Sequence, residues 1–146
     1  MFQSPFAPRP VAAQRPGVLY SQVGAETRVA GATPHQLVAL LFEGYMEALA
    51  QARGALREGR RAEKGVALGR AVRIVEEGLR AGLDLSAGGS LARDLDELYR
   101  YLTRRLTLAN LRDDDAAIDE CRRLVLPLQE AWAAIAPAAD TPPQRR

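Results

Sequence analysis

The sequence predicts an all-α protein, an up-down antiparallel four-helix bundle with a short extra N-terminal helix. Three observations predict it. The central chain is rich in Ala, Leu and Arg and poor in β-branched residues, a composition that favours helix. Four stretches of about 20 residues carry apolar residues at three- and four-residue spacing, the period of one helix face. Short breaker-rich segments separate them, and short connections place successive helices side by side in opposite directions.

Residues 1–17 form an arm, because Pro5, Pro8, Pro10 and Pro16 prevent helix and disfavour a central strand. A short amphipathic piece follows over about residues 18–30. Thr33-Pro34-His35-Gln36 marks the start of the first long helix, with a capping threonine, a proline at the first helical position and a glutamine three residues after the cap. Its stripe is Leu37, Leu41, Tyr45, Leu49, Ala52 and Leu56. The second helix, over about residues 60–84, carries Leu68, Val72, Val75, Leu79 and Leu83, and stops in the run Asp84 to Gly89. Ser90 can cap the third helix, whose seam is Leu91, Leu95, Leu98, Leu102 and Leu106. Asn110 to Asp115 makes the next turn, and its acids suit the start of the fourth helix. That helix carries Ile118, Cys121, Val125, Leu128, Trp132 and Ile135, with Pro127 inside it as an expected kink. Residues 137–146 form a tail with Pro142-Pro143 and a basic end. The folded domain is therefore expected over residues 18–136.

Composition excludes most chemistry. One cysteine permits neither an intramolecular disulfide nor a cysteine zinc cage, and one histidine removes the usual catalytic base and the Glu-x-x-His pairs of bundle di-metal enzymes. Asp113-Asp114-Asp115 reads as helix N-terminal acid rather than a cation site, since consecutive residues on a forming helix point apart. Gly88-Gly89 lacks the strand and lysine of a phosphate loop. Cys121 falls on a core seam, and His35 is expected in solvent on a first turn. No enzyme activity and no cofactor is expected. The charge, 20 basic against 18 acidic residues, is too balanced for a protein living on phosphate. Arg53, Arg57, Arg60, Arg61, Lys64, Arg70 and Arg73 read as a solvated face, interrupted by Glu58 and Glu63 and without aromatics to stack bases. No run approaches the roughly 20 apolar residues that span a bilayer. A lone thiol and no secretory signal pattern at Met1 to Phe6 lead to the expectation of a cytoplasmic protein.

The informative feature is an excess of apolar residues. Tyr99, Tyr101, Leu108 and Leu111 on the third helix, with Leu124 and Leu126 on the fourth, lie outside the seams. A bundle helix needs about three apolar positions in seven. Either the piece over residues 18–30 covers this surplus or it forms a groove for a partner.

The order of these features resembles the flagellar export chaperone family FliS. Tyr20 follows the arm, and Val29 precedes Ala32-Thr33-Pro34, like the family's tyrosine and Ala-Ser-Pro helix start. Leu37 to Gly44 is similar to its Leu-x-x-x-Leu-Tyr-Asp-Gly run, and Leu98 to Leu106 to its Leu-Tyr-x-Tyr-Met-Asn-Arg-x-Leu signature. Ala109-Asn110, Asp113, Ile118 and Ala131-Trp132 then follow in the family's order. Leu102-Thr103 and Pro127 depart from the pattern.

The resemblance implies a cytoplasmic helical-bundle chaperone that binds the disordered C-terminal segment of flagellin, one to one, and prevents premature polymerisation. It also implies that the complex is delivered to the gate of the flagellar type III export apparatus. On that basis Tyr20 is a removable plug over the groove. Tyr101, Leu108, Leu111 and Leu124 line the groove, and Arg104 and Asn110 supply polar contacts. Two other classes stay open: a self-associating structural bundle whose surplus apolar surface is a weak homodimer interface, and a regulator binding nucleic acid through its Arg-rich turn.

Overall fold

The computed structural model describes residues 30–135, and every regular element among them is helical. The elements are α1 (Pro34–Arg57), α2 (Arg61–Arg73), α3 (Gly89–Arg112) and α4 (Asp115–Ala134). The chain of α2 runs on as a π-helical segment over Ile74–Arg80. Together they form a helical bundle in which α1 packs on α2 and α4, while α3 packs on α4 and on α2 with its π extension. The expected arm, the amphipathic piece up to residue 29 with Tyr20, and the tail lie outside the described residues.

Local chemistry starts each helix. Thr33 Oγ1 accepts the Gln36 N–H (3.1 Å) and Gln36 Oε1 accepts the Thr33 N–H (2.9 Å), the reciprocal cap read from the sequence. The N-cap of α4 is Asp114, whose carboxylate accepts the Ala117 N–H at 3.1 Å. Ser90 does not cap α3. Its N-cap is Gly88 and it begins at Gly89, because the loop before it is already organised by Asp84. The Asp84 carboxylate accepts the N–H groups of Ser86 and Ala87. Only glycine fits at position 88, where a Cβ would stand 2.5 Å from Ala92 Cβ and 2.8 Å from the Asp84 carbonyl oxygen. Pro127 lies within α4 and is exposed, and the helix continues past it to Ala134.

The seams meet in one core around Tyr45, Leu49, Leu68, Ile74, Leu102 and Ile118. Tyr45 is fully enclosed, and its hydroxyl donates to the Cys121 carbonyl at 3.0 Å, tying α1 to α4 across the centre. Burial pushes its phenol far above the ordinary tyrosine range. Two seam assignments change. Tyr99, counted as surplus, is buried, because the apolar face of α3 is wider than a two-in-seven seam. Leu91, counted as core, is 67% exposed, because it sits in the first turn of α3 at the edge of the bundle.

The Arg-rich stretch is only partly a solvated face: Arg60, Arg61 and Arg73 are exposed, whereas Lys64 and Arg53 turn inward to partners. Lys64 is only 4% exposed, and its ammonium donates to the Asn110 carbonyl (2.8 Å) and to Asp113 (2.5 Å). Arg53 reaches from α1 to α4, with Nε and Nη2 on Asp115 and Nη1 on Asp119. Asp113 ends α3 in a left-handed conformation (φ 54°), which turns its carboxylate back toward Lys64 and Arg61. A buried ammonium without partners is costly, so these acids and bases are structural complements.

Two outcomes follow from this packing. Leu102→Ala lowers the unfolding free energy by about 2–5 kcal/mol, whereas Leu111→Ala on the surface changes it by less than about 0.5 kcal/mol, both read by chemical denaturation. The Lys64 hydrogen bond lowers the pKa of Asp113, that of Arg53 lowers Asp115, those of Arg123 and Arg122 lower Asp119, and those of Tyr101 and Arg105 lower Glu120. Carboxyls depressed in the folded state add stability that is present above their unfolded value and vanishes as pH falls through the folded one. The melting temperature therefore holds between neutral pH and about 5 and falls below about pH 4.

Candidate functional site

A strongly apolar opening lies where the start of α1, the end of α2, the start of α3 and the end of α4 come together. It is a cleft of about 450 Å³, within the range of ligand-binding pockets. Val38 and Phe42 come from α1, Leu91, Leu95 and Tyr99 from α3, and Leu128, Ala131, Trp132 and Ile135 from the end of α4. The fourth wall is Gly78, Leu79, Gly82 and Leu83, in and just after the π-helical segment. Two glycines four residues apart on that wall bring no side chains, so the layer is left unfilled. A Cβ on Gly82 would stand 3.2 Å from the Gly78 carbonyl oxygen, so the bare backbone there is already closely wound. π-helical turns are uncommon and are frequent at functional sites.

One corner of the cleft is held by His35 and Trp132. Their rings stack with centroids 4.7 Å apart and planes 7° from parallel. The indole N–H donates to the His35 carbonyl (3.0 Å), and His35 Nε2–H donates to the Trp132 carbonyl (2.8 Å), which places the ring proton on Nε2. His35 is thus buried rather than solvated. The first turn of α1 lies against the last turns of α4, and an amphipathic ring is the group that fits there. Trp132 packs against the core and also forms part of the cleft wall.

No titratable cluster accompanies the cleft. Among the described residues no group of three or more His, Cys, Asp or Glu side chains could hold a metal ion, and no helix is long and apolar enough to cross a membrane. Cys121 is fully buried, and burial pushes its thiol up to about 12, so it packs as a small apolar side chain. The cleft can desolvate an apolar segment and has no groups arranged for covalent chemistry.

The described residues expected to line a groove do not share one surface. Tyr101 is half-buried and donates its hydroxyl to Glu120, which also receives Arg105 Nε at 2.8 Å. It braces α3 against α4, and the hydrogen bond to Glu120 raises its phenol pKa and keeps the proton on tyrosine. Arg104, Leu108 and Leu111 follow at helical spacing along the exposed side of α3, with Leu108 37% and Leu111 76% exposed. Asn110 faces α2 instead, giving its carbonyl to Lys64 with its side chain beside Gly65. Leu124 lies outside the cleft, 37% exposed, one turn before Leu128 on the α4 stripe that Leu128, Ala131 and Ile135 carry into the cleft wall.

Comparison with known proteins agrees with this architecture. The family described as "Flagellar protein FliS" matches residues 17–139. The chain belongs to the FliS family. It is 48% identical over 120 residues to the flagellar secretion chaperone FliS of Salmonella typhimurium, spanning 82% of this chain and 89% of that protein. It is 44% identical over 116 residues to the flagellar secretion chaperone FliSB of Pseudomonas aeruginosa, spanning 80% and 91%. It is 40% identical over 113 residues to the flagellar secretion chaperone FliS of Escherichia coli, spanning 77% and 83%.

For this FliS-family chain, the cleft residues Leu79, Leu83, Leu95 and Leu128 were read as ordinary seam positions, and Val38 and Phe42 lay outside the stripe assigned to the first helix. The signal that marks them is the glycine pair at 78 and 82, small residues facing large ones at the end of a seam. Trp132 is the only tryptophan of the chain, so its fluorescence reports on the cleft. His35→Ala removes the stack and the hydrogen bond from the imidazole. The expected outcome is a red shift of native emission and a loss of about 1–3 kcal/mol of stability by denaturant titration.

Proposed function

We propose that this chain is a cytoplasmic flagellar secretion chaperone whose cargo is the disordered C-terminal segment of flagellin. It holds that segment one to one, keeps it from polymerising prematurely and presents the complex to the gate of the type III export apparatus. The observation that carries this reading is the unfilled apolar cleft of about 450 Å³, in a chain of a family whose relatives are named secretion chaperones. A disordered segment that folds on binding needs apolar surface against which to become helical, and no chemistry.

In this reading one turn of the cargo helix seats between Leu95 and Leu128, and the segment continues along the α4 stripe to Leu124. It then crosses to Tyr101, Arg104, Leu108 and Leu111 on α3, with Asn110 at the far end. Tyr20, at the start of the bundle domain (18–136) just after the arm (1–17), plugs the cleft until cargo displaces it. The bundle is up-down and antiparallel, with a short extra helix near residues 18–30. Supporting that order, Arg53 near the end of α1 meets Asp115 at the start of α4, while His35 at the start of α1 meets Trp132 near the end of α4.

The test is calorimetric titration with a peptide covering about the last 40 residues of the flagellin made by the same organism, followed by circular dichroism and Trp132 emission. Saturable one-to-one binding is expected, with a negative heat-capacity change, a gain of helix and a blue shift of emission. Leu128→Glu, with its helix content unchanged, weakens that binding at least about tenfold. A folded protein that ignores the peptide and forms a tight dimer by light scattering would instead be a self-associating bundle.

A further inference from the structure

The outer face of α3 carries charge that the rest of the bundle leaves unneutralised. Arg53, Arg73, Arg80, Arg105, Arg122 and Arg123 each hold a carboxylate within 3.1 Å. Arg93 and Arg104 hold none among the described residues. Arg100 lies 3.7 Å from Asp96, whose carboxylate is already engaged by Arg80 at 2.6 Å. These three arginines are exposed and fall at positions 93, 100 and 104, on one face of a helix. Glu97 is the only acidic position on that stripe, and Glu97, Arg100 and Arg104 border a shallow depression. The same face continues into Leu108 and Leu111, both exposed. The first turn of α3 contains no acidic residue to offset the positive end of its own helix dipole.

We infer that this face docks an acidic amphipathic helix, with carboxylates over Arg93, Arg100 and Arg104 and apolar residues over Leu108 and Leu111. From position 93 to 111 the stripe runs about 27 Å, enough for roughly five turns of a partner lying alongside. Charge complementarity fixes the sign of the partner, and the two leucines fix its class. A phosphate backbone offers nothing apolar to Leu108 and Leu111 and is repelled by Glu97 in the middle of the row. The inference shares Arg104, Leu108 and Leu111 with the flagellin reading and rests on it only for which protein carries such a helix.

The experiment is fluorescence anisotropy with a labelled amphipathic peptide of about 20 residues, glutamates spaced to face the three arginines and leucines one turn beyond. The wild-type protein is expected to bind it, more weakly as salt is raised. The triple variant Arg93→Glu, Arg100→Glu, Arg104→Glu is expected to bind at least roughly tenfold more weakly, with the triple Gln variant in between. Circular dichroism confirms that both variants keep their helices. Equal binding by wild type and both variants, equal binding of a probe with Gln for every Glu, or preference for a short DNA duplex overturns the inference. Failure here is separable from failure of the flagellin reading, because the flagellin titration uses no arginine variant and is read at Trp132 in the cleft.

Discussion

All four helices are held in register at the turn between Asp113 and Asp115. There Lys64 of α2 donates its ammonium to the Asn110 carbonyl in the last turn of α3 and to Asp113, and Arg53 of α1 grips Asp115 and Asp119 of α4. The constraint is the buried ammonium: taken out of water, it needs both the Asn110 carbonyl and the Asp113 carboxylate, and so fixes how far α2 slides along α3. The left-handed backbone at Asp113 allows α3 to end and α4 to begin within three residues while keeping that carboxylate pointed inward. Everything at the other end of the helices inherits its position from this turn.

The opposite end is built on different physics. The His35–Trp132 stack and a ring of leucines replace the network of ion pairs, and Gly78 and Gly82 leave a layer short of side-chain volume. Directional charge contacts hold one end in a single arrangement, whereas apolar contacts are non-directional and tolerate rearrangement around a guest. Between the two ends lies a close-packed core in which Tyr45 and Leu102 are fully enclosed.

Much of this was legible in the sequence because it depends on neighbours in the chain. The Thr33 capping box, the four seams, the burial of Cys121 and the ordered set of family motifs all rest on local spacing. The π-helical turn was not legible, because Leu68, Val72, Val75 and Leu79 suit an α-helix equally well and the wider turn is settled by packing. The cap of α3 moved to Gly88, where the Asp84 carbonyl and the Ala92 side chain leave no room for a Cβ. His35 was misread because its partner is 97 residues away. The cleft was missed for a similar reason: an unfilled layer is a property of four helices together, while a seam is a property of one. Asn110 was assigned a polar groove contact from the family resemblance, and its position on the helix turns it toward Lys64 and Gly65 of α2.

Apolar area and charge contribute differently to holding a disordered cargo. In the proposed reading, ordering a long segment costs several kcal/mol, which apolar burial in the cleft must exceed before any net affinity remains. Surface ion pairs add only about 0–1 kcal/mol each, so an arginine face cannot supply that affinity. It can bias which way a cargo helix lies and which helices are refused, because like charges placed opposite one another are penalised. A carrier that later has to release its cargo is better served by this division than by one tight polar site. Affinity sits in contacts that exchange readily, and selectivity sits in contacts that contribute little to holding the cargo.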